Sequence, residues 1–259
     1  ERMMLLTIDV GNTNTVLGIT DGEKLVQRWR LVSERHTSDE LAICLFNLLS
    51  IAGIRPAEVS GAALCSVVPP LDAHWEECIR RYLSVECLKV TNRSDIGIPV
   101  LYENISEVGA DRLVNAVAGI ELFGSPLLVV DFGTAITVDA ISPRGEYLGG
   151  AIAPGLVVSM EALFGKAAKL PKVSLDLPES VIGRNTRDSM QSGFLYGFAG
   201  MVDSLVERIR DELGEEAKAI ATGGQADIIA PISRSISAVE PWLTLEGLRL
   251  VYERDRGVI

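Results

Sequence analysis

Short runs of β-branched and aliphatic residues alternate along this chain with longer stretches of helical spacing. The runs at Leu5–Asp9, Thr15–Thr20, Leu25–Leu31, Ala62–Val68, Leu127–Asp131, Ala135–Ile141 and Lys218–Thr222 predict strands. The pairs around Asp9 and Asp131 predict hairpins or short meanders. Helices are predicted from Asp39 to Ala52, opened by a Thr37/Glu40 capping box and closed by Gly53, from Ala110 to Leu122, and from Ser189 to Leu213 with Gly214 as the stop. In the last of these Met190, Phe194, Phe198, Met201, Leu205 and Ile209 form an apolar stripe, expected to face a core or a subunit interface. Gly193, Gly197 and Gly200 interrupt it, each weakening the helix by about 1 kcal/mol relative to Ala. Close approach of another backbone, as across a dimer interface, accounts for them; a lax helix is the duller alternative.

The pattern contains a repeat. Leu5-Leu6-Thr7-Ile8-Asp9-Val10-Gly11-Asn12-Thr13-Asn14-Thr15-Val16-Leu17-Gly18-Ile19 is echoed 122 residues on by Leu127-Leu128-Val129-Val130-Asp131-Phe132-Gly133-Thr134-Ala135-Ile136-Thr137-Val138-Asp139-Ala140-Ile141. Gly22-Glu23-Lys24-Leu25 and Gly145-Glu146-Tyr147-Leu148 then follow in the same places. Such self-similarity predicts two related domains, residues 1–119 and 120–259, each ending a buried strand in an acid and a Gly-rich turn.

At 259 residues the chain is long enough for two such cores, and 47% hydrophobic with 5% aromatic residues suits Val/Ile/Leu/Ala-rich α/β packing. A net charge of −11 argues against nucleic-acid or anionic-membrane partners, so an anionic ligand must be held by backbone N–H groups and metal ions. Cys44, Cys65, Cys78 and Cys87 form no CxxC pair and read as reduced packing residues of a cytoplasmic protein. No apolar run reaches the roughly 18 residues of a membrane span. Met3-Met4-Leu5-Leu6 leads into a strand rather than a signal peptide, and Glu1-Arg2 reads as a cloning remnant before a natural start at Met3 or Met4.

Gly11, lacking a Cβ, lets backbone and phosphate approach closely, and Asn12, Thr13 and Asn14 add donors to an anion-binding concavity. Asp9 supplies a hard oxygen for Mg²⁺, directly or through water. A strand-ending Asp capping a Gly-Asn turn is the plainer alternative. The repeat at Asp131-Phe132-Gly133-Thr134 favours the phosphate reading, since two independent turns rarely share a design. A P-loop, a GxGxxG after a strand and a GxSxG elbow are all missing, and His36 and His74 are too few for a histidine zinc site. Lys166, Lys169 and Lys172 read as solvated surface.

Asp9-Val10-Gly11-Asn12-Thr13-Asn14, Gly109-Ala110-Asp111-Arg112, Asp131-Phe132-Gly133-Thr134-Ala135-Ile136-Thr137 and Thr222-Gly223-Gly224, in this order and spacing, resemble the type III pantothenate kinases. Ser66-Val67-Val68-Pro69, Gly149-Gly150-Ala151-Ile152-Ala153-Pro154-Gly155 and Ile182-Gly183-Arg184-Asn185-Thr186 extend the resemblance over nearly the whole chain. It implies the acetate kinase/sugar kinase/heat-shock ATPase/actin superfamily: an α/β fold of two tandem ribonuclease H-like domains with ATP in the cleft between them. The implied activity is phosphorylation of pantothenate by ATP, the first step of coenzyme A synthesis.

The same resemblance implies ATP phosphates on Asp9, Val10, Gly11, Asn12, Thr13, Asn14, Thr15, Val16 and Thr134, and a nucleoside-binding turn at Thr222, Gly223 and Gly224, whose alternative is a Gly-rich loop with no ligand. Asp111 and Arg112 open a helix, where the macrodipole favours a negative side chain. The resemblance makes Asp111 the general base. Pantothenate is implied along Gly109, Ala110, Asp111 and Arg112, with Tyr102 and Thr186 as further contacts; Arg112 pairs with an anionic ligand or serves a structural ion pair. Mg²⁺ with ATP near Asp9, a potassium or ammonium ion on Asp131, and a homodimer complete what the resemblance implies. Two alternatives stand beside a kinase: a non-catalytic regulator and a conformational ATPase on the same scaffold.

Overall fold

In a computed structural model, the structure describes residues 4–167, 170–214 and 216–258, so Glu1, Arg2, Met3 and Lys169 lie outside the described residues. The chain divides into two compact units, the first of residues 4–98, 103–118 and 243–258 and the second of 99–102 and 119–242. The division differs from the expected 1–119 and 120–259 in two segments. The last helix belongs to the first unit and the short stretch 99–102 to the second, because what each packs on decides its membership and sequence position does not.

The first unit holds strands β1 (Met4–Val10), β2 (Asn14–Asp21), β3 (Lys24–Val32), β4 (Val59–Ser66) and β5 (Cys87–Val90) in the order β3-β2-β1-β4-β5. Tight turns make β1, β2 and β3 an antiparallel meander, and β4 and β5 join in parallel through crossovers that carry α1 (Ser38–Ile51) and α2 (Pro69–Cys78). Thr37 and Glu40 make the expected reciprocal cap of α1, the Thr37 hydroxyl accepting from Glu40 N–H and the Glu40 carboxylate accepting from Thr37 N–H at 2.8 Å. Leu6, Ile8 and Val10 alternate onto the face covered by Leu41, Leu45 and Leu49 of α1 and Leu71 and Trp75 of α2. By the same alternation Asp9 falls on the opposite face. α3 (Ala110–Phe123) begins in this unit and carries the chain into the second.

The second unit repeats the design with β6 (Leu127–Phe132), β7 (Ala135–Ile141), β8 (Tyr147–Pro154), β9 (Lys218–Thr222) and β10 (Ile236–Val239) in the order β10-β9-β6-β7-β8. Three antiparallel strands again lead into two parallel ones. Its helices are α4 (Leu156–Lys166), α5 (Thr186–Leu213) and α6 (Ala226–Ile229). The chain then returns to the first unit as α7 (Leu243–Asp255), which packs on β1, β4 and β2. Gly247 of α7 lies so close to α3 that a Cβ there would meet the Val114 carbonyl oxygen at 2.1 Å, and Gly61 of β4 leaves room for the Tyr252 ring.

α5 ends as expected, with Gly214 left-handed at φ +66° and its N–H donating to the Arg210 carbonyl. Its buried stripe is displaced from the expected one. Leu195, Ala199, Val202 and Val206 are buried with Met190, whereas Phe194, Phe198, Met201, Leu205 and Ile209 are only half-buried at the edge of that core. A Cβ at Gly193, Gly197 or Gly200 meets nothing within 4 Å, so no backbone of this chain requires those glycines. Lys166 and Lys172 are exposed.

Candidate active site

Asp9 sits at the end of β1 with Val16 of β2 on one side and Cys65 of β4 on the other. The turn that follows is closed by Gly11 N–H donating to the Asn14 carbonyl at 3.0 Å, which leaves Asn12 and Thr13 exposed at its tip. Thr13 is anchored through its carbonyl, which accepts from Ser33 N–H, and the hydroxyls of Thr15 and Ser33 meet at 2.9 Å. The Gly11 N–H is thus spent inside the turn.

Burial pushes the Asp9 carboxyl up from its ordinary 3.8 to about 7, and the nearby Asp111 carboxylate adds to the rise. The Cys65 thiol, donating to Asp9 Oδ1 at 3.4 Å, and the Arg30 guanidinium oppose it. Arg30 faces Asp9 across the meander, since Val16 pairs with both residues. Burial and the carboxylates of Asp9, Asp111 and Asp72 push the Cys65 thiol well up, so it serves as a donor and not as a nucleophile. Sequence reasoning treated Cys65 as packing. Its strand register against Asp9 is what brings it into the site.

Asp111 lies in the first turn of α3, half-buried, its Oδ1 accepting from Arg112 N–H at 2.8 Å. Gly109 leaves room beside it, because a Cβ there would stand 2.3 Å from Asp111 Oδ1 and displace the carboxylate. Ala110 and Arg112 are buried. The first unit thus brings together Asp9, the Gly11–Asn14 turn and Asp111, two carboxylates near one turn with an exposed tip.

In the second unit Asp131 ends β6 between Thr137 of β7 and Thr222 of β9, the positions that Val16 and Cys65 take around Asp9. Gly133 N–H closes the turn on the Ala135 carbonyl at 3.1 Å, and Gly155 supports it from below, its N–H donating to the Thr134 carbonyl at 3.0 Å. Thr134 is exposed. Gly223, at φ +92°, is pressed against Asp131, and a Cβ there would lie 2.4 Å from Asp131 Oδ1. Its glycine is therefore required by the packing of the turn on β6, while Gly224 beside it is exposed. Tyr102 lies over Gly149, and Thr186 opens α5 beside an open cleft of about 520 Å³ lined by Gly183, Arg184, Asn185 and Ser189. These two residues stand on different elements of the second unit.

Two strand-end acids with matching turns, on twin sheets of matching topology, define a phosphoryl-handling protein of the actin-like ATPase and sugar kinase fold. The solved ADPNP-bound activator of the 2-hydroxyisocaproyl-CoA dehydratase from Clostridium difficile shares that fold at a TM-score of 0.54 and 13% identity, covering 99% of this chain and 97% of that one. The inorganic polyphosphate/ATP-glucomannokinase from Arthrobacter sp. strain KM does so at 0.50 and 15%, covering 98% and 99%. The sequence model of the type III pantothenate kinases matches residues 5–208. The type III pantothenate kinase of Anaeromyxobacter sp. (strain Fw109-5) is 53% identical over 254 residues, 98% of this chain and 100% of that protein. That of Myxococcus xanthus (strain DK1622) is 51% identical over 255 residues, with the same coverage. The chain belongs to the type III pantothenate kinase family.

The raised Asp9 has a consequence for stability. Between its ordinary 3.8 and about 7 the folded chain holds a proton that the unfolded chain has lost, so this group makes the fold less stable as pH rises through that window, with a constant penalty above it. Asp9→Asn is expected to raise the Tm of the nucleotide-free protein at about pH 8 and to leave it nearly unchanged at about pH 4. Calorimetric scans across pH check this, and a lower Tm at pH 8 makes Asp9 a structural residue.

Proposed function

We propose that this chain transfers the γ-phosphoryl group of Mg-ATP to the primary hydroxyl of pantothenate, giving 4'-phosphopantothenate and ADP, the first step of coenzyme A synthesis. The observation that carries this reading is the placing of a helix-start carboxylate, Asp111, beside the strand acid and turn of Asp9. A regulator or a conformational ATPase has no need of a proton acceptor there. In the transfer, a bond forms between the pantothenate hydroxyl oxygen and the γ-phosphorus, the bond to the β-phosphate oxygen breaks, and the hydroxyl proton passes to a carboxylate oxygen of Asp111.

Asp9 and the turn through Val16, with Thr134, receive the phosphates, and Thr222–Gly224 receives the nucleoside. Pantothenate lies along Gly109–Arg112 with Tyr102 and Thr186. Asp9 suits Mg²⁺ arriving with the nucleotide, because a divalent charge offsets both the burial and the Asp111 repulsion that disfavour its ionised form. No group of three acidic, His or Cys side chains able to hold a metal occurs among the described residues, in keeping with a metal whose other ligands are phosphate oxygens and water. Asp131, half-buried against the Gly223 backbone, suits a large monovalent cation, which supplies charge neutralisation without a rigid octahedral shell. The catalytic work of the chain is alignment, proton acceptance and exclusion of water.

We place the protein in the cytoplasm as a homodimer. Among the described residues no helix is long and apolar enough to cross a membrane, and free thiols at all four cysteines suit a reducing compartment. The open Gly193, Gly197 and Gly200 row with the half-buried Phe194 and Phe198 offers a surface on which a second copy can lie closely.

Incubation with Mg-ATP and pantothenate tests the central reading: ADP and phosphopantothenate should appear together, and ADP release that ignores pantothenate sinks it. Asp111→Asn should lower kcat by roughly 10²–10⁴-fold while ATP binding stays close to that of the parent. Near-normal turnover reduces Asp111 to a helix-start charge.

Replacing potassium with sodium at constant ionic strength should greatly reduce turnover, ammonium should restore it, and Asp131→Asn should blunt the response. Indifference of the parent enzyme to the cation removes that role from Asp131.

Gly197→Leu should weaken the dimer and pantothenate use together, read by light scattering and KM, since its side chain meets open space within one chain. A fully active monomer defeats the dimer.

A further inference from the structure

The turn after β6 is one residue shorter than that after β1, so by register Asp139, opposite Val129, stands where the first copy has Gly18 opposite Thr7, and Asp139 is buried at 1% exposure. The strand therefore packs without any side chain in this place, and a carboxylate costs desolvation that the fold does not require. A second departure accompanies it. Tyr147, opposite Ile141 as Leu25 is opposite Thr20, stands where the first copy has the half-buried Leu25, and it is fully buried. The two departures meet: the Tyr147 hydroxyl donates to Asp139 Oδ1 at 2.7 Å, and the Thr137 hydroxyl donates to Asp139 Oδ2 at 3.1 Å.

Tyr147 is also the anchor of the segment 99–102. Its N–H donates to the Pro99 carbonyl at 2.9 Å, and its carbonyl accepts from Leu101 N–H at 2.8 Å, so the segment runs as an extra strand beside the start of β8. Tyr102, the next residue, stacks at a tilt on the Tyr147 ring, with centroids 6.4 Å apart and planes at 46°. Its other support is Gly149 at φ +113°, where a Cβ would come within 2.9 Å of Tyr102 Cε2. Tyr102 is thus held by one aromatic ring and one bare backbone, and that ring is fixed in turn by Asp139.

We infer that Asp139 is a positioning residue for pantothenate, acting through the Tyr147 hydroxyl to set the place of Tyr102. Thr137, which shares Asp139, is the register partner of Asp131, so the residues that fix the wall carrying Tyr102 lie on the strand beside the strand-end acid. The inference rests on the reading of Tyr102 as a pantothenate contact.

The test compares the full-length parent with Tyr102→Ala, Tyr147→Phe and the double variant Asp139→Leu/Tyr147→Phe, measuring Tm, kcat and KM for each substrate. Removing both partners of a buried hydrogen bond in favour of apolar groups is close to neutral for stability, so the double variant should keep a Tm near that of the parent. Its KM for pantothenate should rise about tenfold with KM for Mg-ATP unchanged, since a displaced contact weakens only the ligand it touches. Tyr147→Phe alone, which removes one hydroxyl, should move the same constant in the same direction and serves if the double variant does not fold. An unaltered KM for pantothenate in the folded Tyr147 variants, with Tyr102→Ala raising it, overturns the inference alone. An unaltered value in Tyr102→Ala overturns both the inference and the reading beneath it.

Discussion

Everything functional in each unit hangs from one constraint, the change from antiparallel to parallel pairing at a central strand. β1 pairs antiparallel with β2 and parallel with β4, so the carboxyl ends of β1 and β4 emerge at the same edge. Their following turns are stitched together by Val67 N–H donating to the Val10 carbonyl at 3.0 Å. In the second unit Gln225 N–H does the same to the Phe132 carbonyl at 3.3 Å. Ligands of open α/β sheets bind where strand order reverses, because there the turns diverge and leave a crevice lined by backbone N–H groups. An acid ending the central strand has no other direction to face.

That position is costly for the acid, and the neighbours show how the cost is divided. Asp9 is raised by burial and by Asp111, and restrained by a thiol hydrogen bond and a guanidinium across the sheet. A protein selected only for stability would place an amide or an apolar residue there. Charge pressed into a small space lowers the stability of the free protein, and a ligand that brings positive charge to it recovers that stability on binding. The glycines around the two acids have the same logic. Gly109 makes room for the Asp111 carboxylate and Gly223 for that of Asp131, so backbone yields to carboxylate wherever the two compete.

The two units are copies in topology and differ in chemistry where the copies depart from one another. Cys65 and Thr222 occupy the same register beside their acids, one offering a thiol and the other a hydroxyl. Gly18 and Asp139 occupy another, one without a side chain and the other the centre of a polar cluster. The first unit concentrates its charge at the strand end. The second adds a buried acid one strand away and spends it on an aromatic wall.

The repeat of strand, acid and turn was legible in the residues themselves, because period-two burial and a Gly-rich stop are local signals, and so were the capping box at Thr37 and the left-handed stop at Gly214. Strands β5, β8 and β10 and helices α2, α4, α6 and α7 were not foreseen: their patterns are short or, in α7, rich in charge, and they form because a sheet or helix is already there to pack on. The apolar stripe of α5 was read one residue out of phase, since both rows are apolar and only the sheet beneath decides which is buried. Asp9, Asp111 and Asp131 could be named from motif and resemblance. That Cys65 donates to Asp9, that Tyr147 ties Asp139 to Tyr102, and that α7 returns to the first unit depended on strand register and long-range packing, which no local pattern encodes.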